Sequence, residues 1–211
     1  MPLMPGTIAL LGGGPFEQND ELDRRLLDEA AATRVVVLPT AEAFEDPAAL
    51  IASAMSWAER LGVEVEALMV MQRQDAEDEG AAAVVRRARV VYVVGDGSQH
   101  LRSALKGTPV FDALGEMLAA GGLVVAVGPS AAALCDPMLD QRGGAFTLGL
   151  GLVTGLAVIP GAESEERRQR SLSLASTPVV ELPAGSAIVG RPDEWELVGD
   201  AVVHGDLELR D

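Results

Sequence analysis

The 211-residue chain has one cysteine, two histidines and few aromatic side chains, 3% of the total. With Cys135 alone no intramolecular disulfide can form, and a reducing cytoplasm is the expected compartment. No apolar run approaches the ~18 residues of a membrane helix, so no membrane partner is expected. A basic excess is missing too. Asp and Glu number 32 against 16 Lys and Arg, for a formal net charge of -16. Such a surface repels nucleic acid and anionic lipid, and a soluble, self-repelling protein is the simple reading. The opening MPLMPGTIALLGGG lacks the basic start and cleavage-like segment of a signal peptide, and is expected to form the first strand instead. No His, Cys and carboxylate cluster has metal-ligand spacing. No cofactor motif is found either. Gly12-Gly13-Gly14 is followed by Glu17 where a dinucleotide fingerprint needs glycine, and no Gly-Lys-Ser/Thr follows as in a P-loop.

Apolar residues make up 48% of the chain, enough for the core of one sizeable domain over residues 1–211. Short apolar runs alternate with amphipathic stretches. Strands are expected at Thr7–Leu11, Val35–Leu38, Val63–Met71, Val90–Val94 and Leu123–Val127. Between them lie expected helices. Asn19 and Asp20 cap one that runs to about Ala32, with Leu22, Leu26, Leu27 and Ala30 on one face. Asp46-Pro47 opens another that Gly62 ends. Glu77–Arg87, the segment after Gly97, and a stretch from Thr108-Pro109 to about Ala120 complete the set. This order predicts an α/β fold with a doubly wound, mostly parallel sheet. Beyond Pro137 the texture changes to a glycine-rich apolar stretch, a strand at Leu156–Ile159 and a charged helix at Ser164–Ala175. Short β runs at Val179–Leu182, Ala187–Val189, Glu196–Val198 and Ala201–His204 are expected to add antiparallel strands or hairpins to one edge.

The segment Gly128-Pro129-Ser130-Ala131-Ala132 ends the fifth strand and differs by one residue from the nucleophile-elbow pattern G-x-S-x-G. In that pattern a strained serine needs small neighbours two places away on each side, and Gly128 and Ala132 supply them. The helix behind it would offer backbone N–H groups where an oxyanion forms. A helix N-cap is the plainer role for the same serine. The turn after the fourth strand, Gly95-Asp96-Gly97, reaches the same crevice in a doubly wound sheet and would supply a second donor; an ordinary capped turn is the alternative. A serine nucleophile needs a base. His100 is the better placed of the two histidines, His204 lying in the C-terminal β region, although either suits a surface position. Cys135 reads as a small buried hydrophobe.

Taken together, LLGGG at 10–14, LPTAEA at 38–43, WAERLGV at 57–63, VVGDGSQHL at 93–101 and VGPSAAA at 127–133 resemble peptidase family S51. That family comprises the α-aspartyl dipeptidases (peptidase E) and the cyanophycinases, built on the class I glutamine amidotransferase-like, flavodoxin-type fold. The resemblance implies Ser130 as nucleophile, with the Gly95–Gly97 turn and the amide of Ala131 as the oxyanion region. The family's histidine has no counterpart. Its segment reads Val158-Ile159-Pro160-Gly161-Ala162-Glu163, with Gly161 where the imidazole belongs. The arginine-rich helix is kept as Glu166-Arg167-Arg168-Gln169-Arg170, whereas the later acidic segment becomes Leu182-Pro183-Ala184-Gly185-Ser186-Ala187-Ile188. The expectation is an S51-like protein of impaired catalysis whose crevice binds a small peptide or amino-acid-like ligand, with no cofactor. Two alternatives stand beside it: a serine hydrolase using His100 as base, and a structural or regulatory protein.

Overall fold

The computed structural model describes residues 6–161, 164–191 and 194–210. Strands β1 (Thr7–Leu11), β2 (Arg34–Leu38), β3 (Glu64–Ala67), β4 (Val90–Val93) and β5 (Leu123–Val127) lie parallel. Helices α1 (Asp20–Glu29), α2 (Pro47–Leu61), α3 (Arg73–Ala76), α4 (Glu79–Arg87), α5 (Ser98–Leu105), α6 (Pro109–Ala119) and α7 (Pro129–Leu134) connect and follow them. The inner strands β1, β5, β4 and β2 are almost wholly apolar because the sheet is covered on both sides, whereas the outer strand β3 carries Glu64 and Glu66. Ala9, Leu11, Val35, Val37, Tyr92 and Val125 face α1 and α2, whose Leu22, Leu26 and Trp57 complete that layer. The alternate residues, among them Leu10, Leu38, Val93 and Ala126, face Leu101, Leu114, Met117 and Leu134 on the other side.

Caps set the helix ends. Asp46 Oδ1 accepts from Ala49 N, Pro47 opens α2, and Gly62 ends it with a left-handed backbone (φ +74°). Thr108 caps α6 in the same way. The expected helix over Glu77–Arg87 starts two residues later, at Glu79, and a short unexpected helix, α3, precedes it. The Asp75 carboxylate takes the amides of Met71 and Gln72, and Asp78 caps α4 through Ala81 N, so side chains compete with a continuous helix. The third strand is shorter than Val63–Met71. After Leu68 N bonds to Val37 O, Val70 N turns back to Leu68 O and the ladder ends.

Past α7 come the two-residue strands β6 (Cys135–Asp136), β7 (Met138–Leu139), β8 (Phe146–Thr147) and β9 (Val153–Thr154). Then follow β10 (Ala157–Pro160), α8 (Glu165–Leu174), β11 (Val179–Leu182), β12 (Ala187–Arg191), β13 (Glu194–Val198) and β14 (Val202–His204). The main sheet has the order β13-β12-β1-β5-β4-β2-β3. β12 and β13 add antiparallel strands at the β1 side as expected. The remaining late strands do not join that edge. β10, β11 and β14 form a separate three-stranded sheet, parallel between the first two and antiparallel between the last. β3 forms one outer strand of the main sheet. β13 forms the other, where Trp195 bridges Leu209 and Arg210 N donates to Trp195 O.

Candidate active site

The C-terminal ends of β1, β2, β4 and β5 bring four turns into contact. Gly128 N donates to Leu11 O at 2.9 Å, and Gly97 N donates to Ala41 O at 2.8 Å. The approach is close enough to demand glycine. A Cβ on Gly95 (φ +113°) would stand 2.5 Å from Glu42 N, and one on Gly128 would stand 3.1 Å from Gly13 O. This is the crevice at which a doubly wound sheet places its ligands.

Ser130 is the second residue of α7 and is fully buried. The strain expected at the serine falls on Gly128, whose φ of +59° and ψ of -133° belong to a region almost reserved for glycine. Pro129 then enters the first helical position, where its fixed φ suits the turn. Ser130 is not the N-cap; Gly128 takes that position and α7 has no side-chain cap. The Ser130 hydroxyl donates to Gly95 O at 2.8 Å, which ties the β5–α7 turn to the β4–α5 turn. Two of the expected oxyanion amides, those of Ala131 and Gly97, are engaged. Ala131 N donates to Gly128 O, Gly97 N to Ala41 O, and Asp96 contributes its carbonyl to Ser98 N.

The imidazoles lie elsewhere. His100 sits in the first turn of α5 with Nε2 2.7 Å from Met71 O, and its ring stands edge-on to exposed Phe44 at 4.6 Å. His204 on β14 places Nε2 2.5 Å from Glu181 Oε1, which also accepts from Arg168 Nη1 at 2.9 Å. These two are all the histidines of the chain. In the segment that carries the family's histidine, Gly161 donates its amide to Leu182 O and has φ +83°, while Ala162 and Glu163 lie outside the described residues. The segment 182–188 runs beside the first turn, with Ser186 O accepting from Gly12 N. Burial pushes the Cys135 thiol up to about 12, which keeps it a neutral hydrophobe. Among the described residues no group of three or more His, Cys, Asp and Glu is placed to hold a metal ion, and no helix is long and apolar enough to cross a membrane.

Asp23 is a buried charged residue that the sequence alone does not single out. It is almost wholly buried on α1, accepting from Trp57 Nε1 at 3.0 Å and from Tyr92 OH at 2.8 Å. Burial raises its pKa to about 6 although both hydrogen bonds pull it down, and it drives the Tyr92 phenol well above its ordinary value. A polar residue directly after the buried Leu22 was the one available signal.

The sequence model of Peptidase family S51 matches residues 8–198. The chain belongs to peptidase family S51. Two solved structures share the fold of this S51 chain. A crystal structure of a peptidase from an acI-B1 Actinobacterium superimposes with a TM-score of 0.84 at 24% identity, covering 97% of this chain and 91% of the other. The peptidase E candidate of Listeria monocytogenes EGD-e gives 0.67 at 18% identity, covering 95% and 98%. No curated protein matches this S51 chain.

Proposed function

We propose that this S51 chain retains the family's serine position without ordinary serine–base catalysis, and that its crevice binds a small peptide or amino-acid-like ligand. The observation that carries this reading is the destination of the Ser130 proton, a backbone carbonyl at Gly95. Attack on an amide carbon needs the hydroxyl proton to pass to a base as the bond forms. A peptide carbonyl oxygen is far too weakly basic for that task. His100 and His204 have their Nε2 atoms committed to Met71 O and Glu181. The burial of Ser130 further supports the reading, because a substrate carbonyl needs an open path to Oγ. A serine site without its base keeps on the order of 10³–10⁴-fold catalysis over water from binding and oxyanion contacts. The single cysteine and the absence of a basic surface support the cytoplasm as its compartment.

The test is a fluorophosphonate probe on the intact chain beside Ser130→Ala, together with an assay of aspartyl dipeptides. The expected outcome is no Ser130-dependent labelling and no turnover. Labelling that depends on Ser130, accompanied by turnover, overturns the proposal. If that labelling is also lost in a folded His100→Ala protein, His100 takes the role of base.

A further inference from the structure

At the end of the sheet opposite the Ser130 crevice, between α4 and the strands β2 and β3, lies a groove of about 220 Å³. Three guanidinium groups line it. Arg34 starts β2, Arg87 ends α4 and Arg89 directly precedes β4. Glu66 is the one carboxylate among the lining residues. The chain as a whole has 32 Asp and Glu against 16 Lys and Arg, so a local excess of cations runs against its composition.

The protein's own acceptors leave much of these three groups unused. Arg34 gives Nε and Nη2 to Glu64 Oε2, at 3.2 and 2.9 Å, while its Nη1 stands 3.9 Å from Glu66 Oε2. Arg87 Nη2 faces the other Glu66 oxygen at 3.5 Å, and its side chain makes no hydrogen bond among the described residues. Arg89 donates Nε to Ala30 O at 2.8 Å and has no carboxylate partner among the described residues. Glu66 thus holds two guanidinium groups at the groove without saturating either. All three can be reached from solvent. The Arg34 and Arg87 side chains are each 63% exposed, and Arg89 is exposed as well. Val36, Val84 and Ala88 give the groove an apolar floor.

We propose that this groove is a second binding site, separate from the Ser130 crevice, for a small phosphate monoester. The phosphate oxygens accept from Arg34 Nη1 and from the Nη groups of Arg87 and Arg89, and the ester's apolar group lies on Val36, Val84 and Ala88. A guanidinium presents its donors in a planar fork that matches phosphate oxygens, and a doubly charged phosphate offsets more of the cation excess than a carboxylate would. The groove is smaller than the about 300 Å³ at which pockets for drug-sized molecules begin, which restricts the ester to a small one. The inference holds whether or not Ser130 is reactive.

Titration of the ¹⁵N-labelled full chain with phenyl phosphate at constant ionic strength tests it, read from backbone amides and arginine Nε–H resonances. Saturable shifts are expected at Arg34, Glu66 and Arg87–Arg89, unchanged in Ser130→Ala. Phenyl phosphate is expected to bind more tightly than inorganic phosphate, because its ring alone covers the apolar floor. Arg87 bonds no acceptor of the described residues, so Arg87→Gln leaves the fold's hydrogen bonds in place. It and Arg89→Gln are each expected to weaken binding about tenfold. Absence of saturable shifts at those residues overturns the proposal, as does unchanged affinity in either variant or equal affinity for the two phosphates. Shifts that grow alike at every exposed arginine without saturating mark an adventitious ion only, and overturn it too. Shifts confined to Gly95–Gly97 and Ala131 also overturn it, and assign the phosphate to the crevice instead.

Discussion

Asp23 is held as an ionisable group inside an aromatic cluster. Phe16, Trp57 and Tyr92 have ring centroids 5.1 to 5.9 Å apart, and the carboxylate bonds two of the three. Its folded pKa of about 6 exceeds the ordinary 3.8. Between those values the folded chain keeps a proton that the unfolded chain has released. This contribution to stability therefore falls as pH rises from 4 to 6, and is level above that window. The whole effect is on the order of 3 kcal/mol. Asp23→Asn removes the titration and retains one acceptor and a donor for Tyr92 and Trp57 to share. Denaturant unfolding at pH 4 and pH 7 should show Asp23→Asn gaining on the wild type by roughly that amount. A difference between the two proteins that does not change with pH would count against the assignment.

At the scale of elements, the turn before α7 and the body of α6 use glycine for opposite reasons. Gly128 adopts φ +59° and ψ -133° with Gly13 O close by, so Gly128→Ala should cost about 1–3 kcal/mol in thermal or denaturant unfolding. Gly115 lies exposed inside α6 with nothing within 4 Å of an added Cβ, and Gly115→Ala should stabilise by about 1 kcal/mol. Equal effects of the two substitutions would contradict the backbone argument. The elements readable in the sequence were those with local causes. The parallel strands other than β3 show as nearly unbroken apolar runs, and α2 and α6 show their caps beside Pro47 and Pro109. The short helix α3 and the start of α4 were hidden because Asp75 and Asp78 look like ordinary surface carboxylates until their backbone partners are known. The departure of β11 and β14 from the main sheet was hidden as well, since strand pairing is decided between distant segments. In the candidate site, the place of Ser130 at the end of the fifth strand was legible. Its burial and its bond to Gly95 were not, because they depend on a turn 35 residues earlier in the chain.

The whole molecule is governed by charge excess. Its ion pairs, such as Arg34 with Glu64 and Arg86 with Glu116, join exposed side chains and contribute little each. The net charge of -16 opposes compaction instead. Raising salt from low ionic strength to about 0.15 M should therefore raise the unfolding temperature, and a fall would show that the pairs outweigh the repulsion. The same carboxylates act at the outer strand β3. Glu64 and Glu66 lie there, paired with Arg34 and Arg87. The opposite outer strand, β13, is partly covered by the chain's own residues Leu209 and Arg210. One border of the sheet is thus guarded by charge and the other by a strap of its own backbone. Both devices oppose the stacking of sheets end to end into fibrils, the hazard that an uncovered strand brings to a concentrated protein.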